Sequence, residues 1–189
     1  MKSNYTKQLI SILQCLLIIV GALLFTRFVI TPGLVSGNSM YPTYHNTDGI
    51  LIKRMGNDYQ KDDVISFRYD EEQNEFASQF FGPEIMQEYE KKVGEAHLKR
   101  IVGTPGQKID IINENGVNYL MIDGNLYDEF SIPSPIPSQS YVLGEDEYFV
   151  LGDNREVSYD SLYHGPITKD QILGEVIVHI PNIFEQNKE

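Results

Sequence analysis

Ser39 has the setting of a nucleophile. It stands in the run Ser36-Gly37-Asn38-Ser39-Met40-Tyr41-Pro42-Thr43. Small residues precede it, Gly37 tolerates a positive φ, and Pro42 stiffens the exit while offering no N–H. A hydroxyl fixed in such a turn can attack a carbonyl, provided a neighbouring base takes its proton. The same octapeptide would also serve as a plain polar turn following a membrane anchor. The choice depends on the rest of the chain.

A base has to be found far from Ser39 in sequence. The four histidines, His45, His97, His164 and His179, have no triad context and fit structural or solvent-facing roles. No His-Glu-x-x-His run, cysteine pair or cluster of metal ligands occurs, which argues against a metalloenzyme. A neutral lysine can also activate a serine. Lys99 is the best candidate, in His97-Leu98-Lys99-Arg100-Ile101-Val102-Gly103-Thr104-Pro105-Gly106. A lone strand lysine is ordinarily a solvated face residue. To act as a base its pKa must fall from about 10.4 toward roughly 7–8, which burial against apolar walls achieves. Leu98, Met40 and Ile50 would supply such walls. A third polar stretch, Gly152 to Ser161, follows apolar Tyr148–Leu151 and is rich in hydrogen-bonding side chains. It reads either as a self-bonded Asx turn or as the holder of the lysine.

These groups need a frame, and the chain supplies one after an apolar start. Residues 9–30 are apolar except for Ser11, Gln14, Thr26 and Arg27, long enough to cross a hydrocarbon core. Lys2 and Lys7 precede the run, which favours a cytoplasmic N-terminus (residues 1–8) and an extracytoplasmic domain over 31–189. A cleaved secretory signal fits less well, because its apolar core is about 7–15 residues long and ends at a small-x-small site. The formal charge is −12, and removing the three cations of residues 1–30 leaves −15. So acidic a domain argues against a nucleic-acid partner. The single cysteine, Cys15, lies in the apolar run and excludes an intrachain disulfide.

Beyond the serine turn the texture is that of strands. Segments 49–53, 63–69, 98–102, 108–113, 117–122, 148–151 and 175–180 carry strand patterns. Asn115-Gly116 and Asp123-Gly124 are hairpin signals, and Pro133, Pro135 and Pro137 mark a loop. Residues 70–96 form an acidic insertion with a short amphipathic helix expected over Pro83–Val93. The fold class expected is mostly β, a compact antiparallel domain after one transmembrane helix.

Taken together, these segments resemble the bacterial type I signal peptidases of the smaller Gram-positive kind. The resemblance is carried by Ser39-Met40-Tyr41-Pro42-Thr43, by Lys99-Arg100-x-x-Gly103-x-Pro105-Gly106, and by Gly152-Asp153-Asn154-Arg155 with Ser158-x-Asp160-Ser161. It implies a signal-peptidase fold and a serine endopeptidase, with Ser39 as nucleophile and Lys99 as general base. It also implies that Ser158 holds the lysine amine and that Asp160 supports the site through Arg100. Val35, Ser36, Met40, Tyr44, Ile50, His97 and Leu98 would contact substrate. The implied substrates are secretory preproteins with small-x-small cleavage sites at the bilayer surface, cut without a cofactor. The oxyanion would be met by the Ser39 N–H; Gram-negative relatives add a serine hydroxyl at the position that is Gly37 here.

Two departures from the family pattern point to a specialised paralogue, such as those accompanying pilus assembly or secretion machinery. Leu162 stands where the family usually has arginine, and segment 70–96 is longer than in compact members. Two other readings are a non-catalytic assembly factor on the same fold and a self-cleaving repressor-type Ser-Lys protease. Retention of both Ser39 and Lys99 favours an enzyme over the first. The anchor, and the lack of a DNA-binding domain, count against the second.

Overall fold

A computed structural model describes residues 2–56, 58–70, 95–132 and 136–182. The apolar start forms one helix, α1 (Lys2–Phe28). Its stretch Lys7–Phe25 has a mean hydropathy of 2.4, and none of it is buried within the protein. At about 1.5 Å per residue that stretch is roughly 28 Å long, close to a hydrocarbon core. The helix stops short of the anchor expected over 9–30. Ile30 already belongs to the first strand, and Val29 O accepts the Arg54 N–H at 2.8 Å. Val and Ile are equally apolar in a helix and in a strand, so hydropathy alone cannot set this boundary, although their β-branching favours the strand.

Eleven strands follow among the described residues. They are β1 (Ile30–Leu34), β2 (Gly49–Lys53), β3 (Val64–Phe67), β4 (His97–Gly103), β5 (Lys108–Glu114), β6 (Val117–Ile122), β7 (Asn125–Phe130), β8 (Gln139–Val142), β9 (Glu147–Leu151), β10 (Ile167–Thr168) and β11 (Ile172–Ile180). A four-residue helix, α2 (Ser161–His164), lies between β9 and β10. The strands make a seven-stranded sheet, ordered β1-β2-β11-β3-β4-β9-β10, and a four-stranded sheet, ordered β7-β6-β5-β8. Every pairing among the described residues is antiparallel. The fold is thus mostly β behind one apolar helix, as expected.

The two expected hairpin turns carry positive φ at both central residues: Asn115 and Gly116 at 54° and 84°, Asp123 and Gly124 at 51° and 77°. These are the values a two-residue turn needs to match strand twist. Four strands fall outside the expected segments: β1 contains Pro32 and Gly33, β7 and β8 are largely solvent-facing, and β10 is only two residues long. β1 tolerates proline because it pairs only with β2, at the edge of its sheet. The last strand runs back to Ile172, beyond the expected start at Glu175, through register shifts at Ile172/Gly174 and Val176/Val178. The helix expected over Pro83–Val93 and the loop prolines Pro133 and Pro135 lie outside the described residues.

Three apolar clusters hold these layers. The small sheet packs Ile109, Ile111 and Leu120 against Phe149, Leu151 and Leu162. On the large sheet, Ile65, Phe67, Ile101 and Val150 form a second cluster. The third joins Val35, Met40 and Tyr44 to Ile50 and Val64, directly beneath the serine turn.

Candidate active site

The chain leaves β1 at Leu34, crosses the serine turn and returns to the sheet as β2. Met40 anchors the turn; only 1% of it is exposed, within the third cluster. Full burial of such a side chain contributes about 1.5–3 kcal/mol. Both ends of the turn are tied, with Val35 N–H to Asp48 O and Thr47 N–H to Val35 O, each at 2.8 Å. Gly37 has φ 88°, and its N–H donates to Asn46 Oδ1 at 3.0 Å. Ser39 O accepts the Asn154 N–H at 3.0 Å, joining the turn to the polar loop after β9.

Lys99 lies in β4, paired to β3 through Ile65. It is 3% exposed. Its Nζ is 2.9 Å from Ser39 Oγ and 3.0 Å from Leu98 O. Sequence reasoning expected these two side chains to meet, and their contact is a hydrogen bond.

Behind them stands Asp160. Its Oδ2 accepts from Ser158 Oγ at 2.6 Å and from the Gly152 N–H at 2.8 Å, and its Oδ1 accepts the Leu162 N–H at 3.2 Å. Burial pushes the Asp160 carboxyl up; those N–H and O–H donors and the Lys99 charge oppose the shift without cancelling it. Gly152 is wedged where Ser158 and the serine turn meet. A Cβ there would lie 2.1 Å from Ser158 Oγ and 2.5 Å from Ser39 O, so only glycine fits.

The expected support of Asp160 through Arg100 is not formed. Arg100 instead donates from Nε and Nη2 to the two oxygens of Asp153, at 2.9 and 2.7 Å, and from Nη1 to Asp62 O at 2.8 Å. Burial pushes the Asp153 carboxyl up, but bonds from Arg100 and from the Thr43 hydroxyl outweigh it and leave the group below its ordinary value. Asp153 therefore ties β4 to the serine turn. Sequence reasoning missed it because Asp153 and Asp160 share one polar loop. Leu162 is fully buried in the first cluster, where a guanidinium would be cut off from water.

A second missed residue is Asp48, which has no exposed surface. It accepts from the N–H groups of His45 (2.8 Å) and Asn182 (2.7 Å), and lies 2.7 Å from His179 Nε2. Burial raises its carboxyl, yet these donors hold it below the ordinary value. It fastens the end of the serine turn to β11. Its only sequence signal was an acid directly ahead of an apolar strand.

A cleft of about 1060 Å³ opens in front of Ser39 and Lys99. Of the expected substrate contacts, Val35, Ser36, Met40, Ile50, His97 and Leu98 line it. Tyr44 does not; it packs beneath the turn, with its ring 4.5 Å from that of His179. Among the described residues there is no group of three or more His, Cys, Asp or Glu able to hold a metal.

A family model described as signal peptidase, peptidase S26, matches residues 7–180. The chain is 32% identical over 155 residues to the Synechocystis sp. protein named "Probable signal peptidase I-2", covering 80% of this chain and 63% of that protein. It therefore spans a little under two thirds of that relative's length. Signal peptidase IB of Staphylococcus aureus is 27% identical over 202 residues, covering 93% of this chain and 89% of that protein. A solved signal peptidase I from Enterococcus faecalis aligns with a TM-score of 0.40 at 22% identity, covering 64% of this chain and 97% of that one. On the match over residues 7–180, the chain belongs to the signal peptidase family, peptidase S26.

Proposed function

We propose that this protein is a membrane-bound serine endopeptidase that removes signal peptides from secreted preproteins, with Ser39 as nucleophile and Lys99 as general base. The observation that carries the reading is the 2.9 Å contact between Lys99 Nζ and Ser39 Oγ, at the wall of an open cleft. As a neutral amine, Lys99 takes the Oγ proton while Oγ bonds to the scissile carbonyl carbon. The carbonyl oxygen becomes an oxyanion facing the Ser39 N–H. Collapse breaks the C–N bond, and Lys99 gives its proton to the leaving amine. Water then attacks the acyl ester, Lys99 accepting its proton and returning it to Oγ.

Ser158 and Asp160 keep this pair in place: Asp160 fixes the Ser158 hydroxyl at 2.6 Å on the far side of Gly152. Gly37 cannot supply a side-chain donor to the oxyanion, and its N–H is already taken by Asn46. The apolar lining by Val35, Ile50 and Leu98 suits uncharged side chains at the cut, and the small-x-small preference is what the family resemblance implies. α1 would span the bilayer once, with Lys2 and Lys7 on the cytoplasmic side and the β domain outside. Residues 70–96 would select particular preproteins or pilus and secretion partners. The test is incubation of the detergent-solubilised full chain with a preprotein, the cut located by mass spectrometry. A single cut after small-x-small is expected; no cut, or one indifferent to those residues, would refute the reading.

A further inference from the structure

The cleft does not end in apolar walls. Its floor follows the sheet's two-residue period. Ile50, Ile52 and Arg54 line it, whereas Leu51 and Lys53 do not; Ser66 and Arg68 line it, whereas Ile65 and Phe67 do not. Both arginines therefore face the same channel as Ser39 and Lys99. Arg54 lies where β1 leaves α1, with its N–H on Val29 O. Arg68 follows Phe67, whose register partner is His97, two residues before Lys99. Among the described residues neither guanidinium has a hydrogen-bond or ion-pair partner. The acids lining the cleft are Glu95 and Glu156, and neither is bonded to these arginines. In a chain of net charge −12, two unengaged cations on the floor of one cleft are a local exception.

From these observations, and resting on the reading of the cleft as a signal-peptide site, we propose that Arg54 and Arg68 form a subsite for an acidic side chain upstream of the cut. A signal peptide reaches Ser39 from the bilayer, so residues before the cut occupy the end of the cleft nearest α1. Stepping back from Lys99 toward Arg68, and from Val35 toward Arg54, takes an extended peptide about three to six residues upstream at roughly 3.3 Å each. A carboxylate there enters the cleft that both guanidinium forks line, and such forks bind carboxylates in a fixed planar geometry.

The test uses full chain in detergent and synthetic peptides carrying Asp, Asn or Lys at each position from three to seven before the cut. Binding to the Ser39→Ala protein and cleavage by the unsubstituted protein are both measured. Asp is expected to bind best at one or two adjacent positions, by roughly fivefold over Asn at low salt, and less so at high salt. In Arg54→Glu/Arg68→Glu the order should invert, with Lys preferred over Asp. An order indifferent to residue type, or one the double substitution leaves unchanged, overturns the proposal. So does a double variant that loses only its binding to phosphatidylglycerol vesicles, which would assign the arginines to lipid headgroups. Absence of cleavage with the Asp preference intact in binding would count against the peptidase reading alone.

Discussion

The Asp153 carboxylate takes the Arg100 guanidinium with both oxygens, at 2.9 and 2.7 Å, and also receives the Thr43 hydroxyl. One carboxylate thereby locks the strand bearing Lys99 to the turn bearing Ser39. A double-mutant cycle of Arg100→Ala and Asp153→Ala should show a coupling of about 1–3 kcal/mol in unfolding. Arg100→Ala with Asp160→Ala should be close to additive, since those two side chains do not bond. The carboxyl of Asp153 is lowered in the folded state, so its contribution is fully present above about pH 4. It is lost as pH falls through the lower folded value. Acid titration of Asp153→Asn should lack that share of the loss.

Asp160 behaves in the opposite sense. Its folded carboxyl is raised by burial, so its contribution is present below the unfolded value, about 3.9, and is lost as pH rises through the folded value. Asp160→Asn removes the buried titratable group and should flatten that part of the stability profile. Activity should still fall, by roughly tenfold, because Ser158 loses the carboxyl that accepts its hydroxyl at 2.6 Å. Unchanged activity would mean that Ser158 does not depend on Asp160.

Gly152→Ala places a methyl group against Ser158 Oγ and Ser39 O. Overpacking of this kind costs about 1–3 kcal/mol, and here the displaced backbone carries Ser39. Peptidase activity should drop more steeply than stability, read as kcat against the midpoint of thermal unfolding. Equal losses would make Gly152 a packing residue only.

The insertion at 70–96 is tested by replacing Glu71 to Glu95 with a short Gly-Ser linker. Surface insertions are well tolerated by the scaffold. The trimmed protein is expected to fold and to cut a generic small-x-small substrate while losing preference for its own client. Failure to fold would assign the segment to covering the sheet, and an unchanged preference would remove the partner role.

Much of this architecture was legible because its strands alternate and its hairpins carry Asn-Gly or Asp-Gly. β1 was hidden because Pro32 and Gly33 break the pattern that an edge strand can nonetheless carry. Ser39 and Lys99 were legible as types, one in a constrained turn and one in an apolar strand. The partner of Arg100 was not: Asp153 and Asp160 occupy the same loop, and only its path shows which reaches β4. Asp48 gave little signal, because its three partners come from His45, His179 and Asn182, mostly remote in sequence. Tyr44 is close to Ser39 in sequence, yet the turn directs its ring under the site rather than into the cleft.

The central claim is that Lys99 is the base for Ser39, and Lys99→Arg tests it most directly. Arginine keeps the positive charge and a similar length, but cannot deprotonate at working pH. Initial rates of preprotein cleavage by the purified variant should fall by at least about 1000-fold, matching Ser39→Ala, with the unfolding midpoint little changed. A Lys99→Arg protein that cuts at close to the unsubstituted rate would contradict the account, leaving Lys99 structural and the proton of Ser39 to another group.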